Sequence, residues 1–548
     1  MTRQPPPHRC STRWTLAARD AAPDLRRIPR AVPCTICEIR ATLIFVSHHR
    51  LAPNVHEHTN ALEAALSALR TELELPGDYP DDAVKDAAAA VSALQLPSHD
   101  LTGIDFITID PASSTDLDQA LYIERDGSSY RVLYAIADVP AFVAPGGPLD
   151  AETRRRGQTF YTPDGRIPLH PEVISEGAGS LLPGQDCSAF VWDFRLDARA
   201  DVTAVTVRRA RMRSRDKLSY KGAQAELDGG SPSDVLVLLK EVGLKRVELE
   251  RARGGASLNM PDQEIVQLPD GGYRIAAAPQ LPVEDWNAQI SLMTGMAAAQ
   301  LMLAGKVGIL RTMPSPDERS LHHFRLQTEA LGKPWDGQVS YGEYLRSLDP
   351  TDPRQLAIMH SAGMLFRGAA YTAFDGTVPA DAVQSAIGAA YAHTTAPLRR
   401  LVDRFVLVTC EALCNGGEVP GWVRDALPSL PEIMAGSDQL ASRMERLALD
   451  TVEAALLINH IGQEFGAIVI SGSKPQKENG NGGNGKNGKN GNGNGNGNGG
   501  SGIIQIAEPA VTARCAGELE AGTKVRVRLV SSNIATREVH FELVPPLS

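Results

Sequence analysis

The stretch IDFITIDPASSTDLDQALYIERDGSSYRVLYAIADV, residues 104–139, decides how this chain is read. Its apolar residues come in short alternating or continuous runs (FITI, ALYI, YRVLYAIADV) that are too brief for helices and rich in β-branched and aromatic side chains. Runs of that kind, separated by Pro, Asp and Gly, predict consecutive strands joined by turns. The same pattern continues outward to about residue 210, through AFVWDFRL and VTAVTVRRARM. Residues 283–460 instead carry long helical periodicities, so the main body is expected to be α+β, with a mixed sheet first and packed helices after.

Working toward the N-terminus, Leu62, Leu66, Leu69 and Leu73 form one apolar helical stripe, and an Ala-rich segment from Ala83 to Leu94 comes after the PGDYPDD break. Together, in a region of residues 56–100, they predict a small helical pair packed on the next part of the chain. The first 55 residues are rich in arginine and proline and poor in acids, and are expected to be a disordered tail or an over-extended start rather than a transit peptide. Cys34 and Cys37 with His48, His49, His56 and His58 invite a zinc reading, but their spacing fits neither a paired C-x2-C site nor the usual Cys/His finger. No metal is expected there.

Toward the C-terminus, residues 472–502 are almost wholly Gly, Asn, Lys and Ser, with nothing to bury, and read as a flexible tether. Strand-like runs flank it (FGAIVIS, GIIQI, KVRVRLV, VHFELV), so residues 461–548 are expected to form a small OB-like barrel with the tract inserted in a strand connection. The expected division is therefore a body at 101–460 and then that barrel.

The 548 residues, 43% hydrophobic and 22% charged, support full cores and exclude collagen, coiled coil and wholesale disorder. No run approaches the length of a membrane span, and seven scattered cysteines are the usage of a reducing compartment, so a soluble, cytoplasmic protein is expected. An excess of Asp and Glu, 65 against 55 Lys and Arg, argues against duplex DNA as a partner while leaving room for a local basic channel. The densest basic run, RRARMRSRDK at 208–217, is balanced between a track for a nucleic-acid backbone and a solvated strand.

Chemistry is expected at IDPASSTDLDQAL, residues 109–121. Asp110 ends a strand, and Asp116 and Asp118 come six and eight residues later. Three carboxylates converging on one loop are the oxygen donors that a hard divalent cation needs; the plainer alternative is an Asp-rich turn.

This stretch, with YRVLYAIADVPAFVAPGGPLDAETRRRGQTFYTPDGRIPLHPEVISEGAGSLLPGQ after it, resembles the catalytic domain of the ribonuclease II (RNB) family of exoribonucleases. The segment YAHTTAPLRRLVDRFV at 391–406 is similar to that family's second signature. The resemblance implies an RNB-type catalytic domain acting as a Mg2+-dependent hydrolytic 3′-to-5′ exoribonuclease, with Mn2+ able to substitute, on single-stranded RNA and releasing 5′-nucleoside monophosphates.

Residue by residue, it implies that Asp110, Asp116 and Asp118 hold metal, Asp118 being the most critical carboxylate. Gln119 stands at a fourth position that is usually Asp, so a second metal site is expected to be weaker or to be completed by substrate phosphate. Arg399 would neutralise charge on the phosphoryl oxygens, with Arg400 a structural or backbone-contacting neighbour. Tyr161 aligns with an aromatic that stacks on the terminal bases, and Arg156, of the Arg154–Arg156 run, is the arginine assigned to the RNA, against a solvated helix end as the plainer reading. Asp138 and Asp403 are expected to be structural. The residues ahead of the catalytic domain have too few alternating strands to supply the family's two cold-shock barrels; with Gln119, this leaves a weak or inactive RNA-binding relative as one alternative, and a metal-dependent phosphodiesterase acting on short oligonucleotides or DNA is another.

Overall fold

The computed structural model describes residues 59–163, 165–256, 262–267, 273–278, 281–363, 365, 367–472, 500–506 and 511–545. Cys34, Cys37, His48, His49, His56, His58 and residues 473–499 of the Gly/Asn-rich tract lie outside them, while Ser501 and Gly502, expected in the tether, begin a strand.

Two helices come first, α1 (Thr59–Glu72) and α2 (Asp81–Ala93), and then strands β1 (Phe106–Asp110), β2 (Gln119–Asp126) and β3 (Ser129–Ala137). Helix α3 (Pro148–Arg156) leads into the short hairpin β4 (Phe160–Thr162) and β5 (Gly165–Ile167), with strands β6 (Asp186–Leu196) and β7 (Val202–Ser219) after it. The expected mixed sheet is present but closes on itself, in the order β1-β2-β3-β6-β7, as a five-stranded barrel. Closure depends on the length of β7. Its first part, Val202–Arg213, pairs antiparallel with β6, and Ser214–Ser219 continues past it to pair parallel with Phe106–Asp110 of β1. No edge is left bare, which removes the liability of an open sheet.

Both faces of this barrel are covered. Trp192, Phe194, Tyr134 and Val207 share a cluster with helix residues 283–302 and 401–414, while Phe106, Leu133, Val191 and Met212 pack with Ala83 and Ala87 of α2. That double burial explains why β3 reads as a nearly continuous apolar run rather than a strict alternation.

Helices α4 (Tyr220–Asp228) and α5 (Asp234–Ala252), hairpin β8 (Asp262–Gln267) and β9 (Tyr273–Ala278), and helix α6 (Pro282–Gly305) come next. Strand β10 (Val307–Thr312) pairs with β11 (Ala370–Asp375), and between them helices α7 (Glu318–Ala330), α8 (Tyr341–Arg346) and α9 (Pro353–Gly363) enclose Phe324, Trp335 and Tyr344. A two-residue pair, β12 (Val383–Gln384) and β13 (Ala389–Ala390), precedes α10 (Leu401–Cys414), α11 (Gly421–Ala426) and α12 (Leu430–Leu457). Gly295 of α6 is the point of closest approach. A Cβ there would collide with the Tyr391 ring, and the Gly295 carbonyl accepts the N–H of Ala392 at 3.1 Å. Only a residue without a side chain lets the 391–400 segment lie directly on the helix.

A second closed barrel, β14 (Glu464–Ser471), β15 (Ser501–Ile506), β16 (Val511–Ala516), β17 (Lys524–Asn533) and β18 (Glu538–Leu543), has the order β14-β15-β16-β18-β17. Its OB-like closure matches the expectation, and β14 and β15 pair directly at Ser471 and Ile503 on either side of the Gly/Asn-rich tract. Leu457 at the end of α12 is part of its core.

The N-terminal helices differ from the expected pair. Only α2 packs on the neighbouring first barrel. The leucine stripe of α1 is buried instead against Met444, Ala448 and Val452 of α12, almost four hundred residues later. Among the described residues no helix is long and apolar enough to cross a membrane.

Candidate active site

The end of β1, the loop from Pro111 to Leu117 and the start of β2 place Asp110, Asp116, Asp118 and Gln119 at one mouth of the first barrel. Lys217 of β7 fastens this loop by donating to the Ala112 carbonyl at 2.9 Å and to the Ser114 carbonyl. Because β7 runs parallel to β1, with Lys217 beside Thr108, the last cation of the basic run reaches under the carboxylates.

Asp118 is buried, and Oδ1 accepts the backbone N–H of Leu398 at 2.7 Å. The second signature segment is thereby docked on the first. Leu398 is held from its other side as well, its carbonyl 3.0 Å from Nδ1 of the buried His170. Burial lowers that imidazole's pKa to about 4, so the ring is neutral and its Nδ1–H donates. The side chain of Gln119 makes a further tie, its Nε2 donating to the Thr395 carbonyl. The backbone of the same loop pairs with the start of the hairpin segment, the N–H of Thr159 donating to the Arg399 carbonyl at 3.0 Å.

Burial pushes the Asp110 carboxyl up to about 6; Lys217 and Arg399 act against this, and the charge of Asp116 adds to it. Oδ2 of Asp110 is a buried oxygen with no hydrogen-bond partner. Burial also drives Asp118 well above the usual carboxylate range, against Arg399 and the Leu398 N–H and reinforced by the charges of Asp116 and Asp403. Acids crowded together out of water, one with an orphaned oxygen, are the donor set whose strain a divalent cation relieves. In this structure Asp116 is turned elsewhere. Its Oδ1 pairs with Nη1 of Arg166 at 2.6 Å, and among the described residues no three His, Cys, Asp or Glu side chains stand close enough together to hold a metal ion.

Arg399 projects at the edge of this cluster, 44% exposed, with Nε 4.0 Å from Oδ2 of Asp118. That contact is long enough to leave its donors available. Tyr161, 46% exposed on β4, donates its hydroxyl toward Oδ2 of Asp116 at 3.5 Å, which sets the side chain beside the acids.

Of the residues expected to contact RNA, Arg156 is placed inside the protein and Arg400 is mostly covered. The Arg156 side chain is 1% exposed. Nε pairs with Glu152 at 2.7 Å, Nη1 and Nη2 donate to the Pro168 and Gly77 carbonyls, and the guanidinium lies 3.7 Å over the Tyr79 ring. Every nitrogen is occupied, so none is left for a phosphate. Arg400 pairs with Asp403, Nε at 3.1 Å and Nη2 at 3.0 Å, with 14% of its side chain exposed. Asp403 also accepts the Ala396 N–H at 2.7 Å, and Asp138 accepts from Ser188 and Arg209; both are structural, as expected.

Alternate arginines of the basic run on β7 are paired with acids: Arg209 with Asp138 and Glu411, Arg211 with Asp100, Arg213 with Asp186 and Arg215 with Asp105.

Sequence reasoning missed Arg166, which ties Asp116 to Thr115 and Glu176. The available signal was its position in the same FYTPDGRIP segment as Tyr161, of which it is the direct cross-strand partner.

Comparison with known proteins gives this geometry its lineage. The family model for the RNB domain matches residues 98–415, and that for the RNase II-type exonuclease C-terminal S1 domain matches 491–544. Ribonuclease R of Escherichia coli (strain K12) is 29% identical over 439 residues, covering 74% of this chain and 52% of that protein. DIS3-like exonuclease 2 of Arabidopsis thaliana is 42% identical over 249 residues, covering 41% of this chain and 23% of that protein. The chain thus spans about half the length, or less, of these curated relatives. The structure of Mycoplasma genitalium RNase R in complex with ribose methylated single-stranded RNA superposes with a TM-score of 0.75 at 17% identity, over 88% of this chain and 78% of that one, and so shares the fold. With the RNB model matching more than half of its length, a barrel mouth lined by Asp110, Asp116 and Asp118, and an S1-type barrel behind it, this chain belongs to the RNB exoribonuclease family.

Proposed function

We propose that the chain is a divalent-metal-dependent hydrolase that degrades single-stranded RNA from the 3′ end to 5′-nucleoside monophosphates. The observation that carries this reading is the docking of Leu398 on Asp118, which sets the exposed guanidinium of Arg399 beside that buried carboxylate. A mere Asp-rich turn would leave its carboxylates in water or on N–H groups of the turn itself, whereas Asp118 takes the N–H of a residue 280 positions away and Oδ2 of Asp110 is buried with no partner.

Asp110, Asp116 and Asp118, with the Gln119 amide beside them, are the residues that would hold Mg2+ or Mn2+, which supplies charge to polarise the scissile phosphate and acidify the attacking water. Arg399 presents a planar fork of donors to the phosphoryl oxygens on which charge grows, so its contribution is largest in the transition state. Leu398 and His170 fix the loop that carries it. Tyr161 offers an exposed ring to a base, a contact worth about 1–3 kcal/mol that tolerates any sequence. Bond cleavage is at P–O3′: water adds to phosphorus and the shortened strand leaves with a free 3′-hydroxyl.

The binding-only reading has its own support. An Arabidopsis relative with the same 42% identity is named "Inactive exonuclease DIS3L2", and yeast Ssd1, described as a pseudonuclease, shares the fold with a TM-score of 0.60. Gln119 is the residue of this chain that favours it. Digestion of an RNA oligomer in 18O-water separates the two. The hydrolase reading expects 18O in the phosphate of each released 5′-monophosphate; intact RNA retained on the protein contradicts it.

A further inference from the structure

We infer that the acidic centre of this chain takes a single divalent cation, because Arg166 stands on Asp116 as a fixed positive group in the place of a second one. The inference rests on the metal-dependent reading above and concerns how many cations that centre holds.

The Arg166 side chain is drawn in from three directions. Nη1 pairs with Oδ1 of Asp116 at 2.6 Å, and Nη2 lies 2.6 Å from Oγ1 of Thr115 and 2.5 Å from Oε1 of Glu176. Thr115 in turn donates to the other Glu176 oxygen at 2.7 Å, so guanidinium, hydroxyl and two carboxylates close a small network. Only about a quarter of the arginine side chain is exposed, and of Asp116 still less. Its backbone position is equally fixed, since Arg166 is paired with Tyr161 across the β4–β5 hairpin. This is a built contact rather than a passing one.

Gln119 completes the argument. It brings no charge, and its Nε2 donates to the Thr395 carbonyl, a bond that no carboxylate at this position could make. The residue therefore serves as a tie to the 391–400 segment. With a cation bound, the three aspartates would offer at most three negative charges. Arg166 cancels one of them by direct contact, and Lys217 under the loop adds positive field rather than negative. What remains matches one divalent ion, and a second would have to approach Asp116 against a guanidinium already seated there. Arg166 is in this sense a positioning residue, holding Asp116 and the 111–117 loop in place.

The test counts ions on the full-length chain by the electron paramagnetic resonance signal of free Mn2+, titrated at neutral pH. Wild type is expected to bind one Mn2+ per chain, Arg166→Lys one, and Arg166→Met two. Two ions on wild type would overturn the inference while leaving the metal-dependent reading intact, as would one ion on a folded Arg166→Met protein. No bound Mn2+ on wild type would overturn the metal-dependent reading and the inference with it.

Discussion

The backbone N–H of Leu398 donates to Oδ1 of Asp118 at 2.7 Å, joining two residues 280 positions apart in the chain. A main-chain donor cannot rotate away, so this bond fixes the carboxylate relative to the loop that carries Arg399. The buried acid and the exposed cation are thus set relative to one another, with the Gln119–Thr395 and Thr159–Arg399 bonds holding the same segment.

Asp118→Asn retains an acceptor for Leu398 and removes the charge. It should keep the melting temperature and RNA affinity near wild type while lowering turnover on the order of a thousandfold. A melting curve, a filter-binding titration and single-turnover rates measure the three quantities. Unchanged turnover would remove Asp118 from the chemistry.

Arg399→Ala should reduce kcat about 10²–10³-fold with a much smaller effect on KM, because its donors are used on charge that develops during reaction. Arg399→Lys should recover only part of the loss, since an ammonium lacks the planar fork. Steady-state kinetics on an oligomer decide the matter: a rise in KM with kcat intact would make Arg399 a plain binding contact.

Arg156→Ala should act on stability instead. The change strands the Pro168 and Gly77 carbonyls and removes a stacked, buried ion pair, a loss of roughly 3–5 kcal/mol for breaking such a pair. The melting temperature should fall, and RNA affinity of the folded fraction should stay as it was. A stable variant that binds RNA weakly would return Arg156 to the interface.

How much of this was legible in the sequence depended on range. The strands of the first barrel were readable because alternation and β-branched runs are local, whereas closure depends on β7 being long enough to pair with both β6 and β1. The spacing of Asp110, Asp116 and Asp118 marked a candidate site, and the family resemblance assigned their roles. Arg156 misled because a run of three arginines looks solvated in one dimension, while its four-residue spacing from Glu152 turns one of them inward onto Tyr79. The run on β7 stayed open between two readings for a related reason, its acidic partners lying on other strands and loops. Arg166 was a lone arginine in a hairpin, and nothing local ties it to Asp116.

Glu453 supplies a pH prediction away from the site. It lies 5% exposed where α12 meets the second barrel, accepting the Thr512 N–H at 3.2 Å, and burial raises its pKa to about 8, the charge of Asp450 adding to the effect. A carboxyl whose folded pKa exceeds its unfolded value of 4.5 contributes stability that is fully present below 4.5 and lost as pH rises through about 8. Glu453→Gln keeps the acceptor and cannot ionise. Its melting temperature should therefore gain on wild type, on the order of 5 °C, between pH 5 and pH 9. Parallel pH profiles would show the group to be indifferent to ionisation.

The central claim is tested most directly by a time course on a 5′-labelled poly(A) oligomer, run with Mg2+, with EDTA, and on the matching DNA, and resolved on a sequencing gel. A descending ladder with release of 5′-AMP, dependent on metal and absent on DNA, is the predicted result. An undegraded RNA that the protein nevertheless retards on a native gel would contradict it.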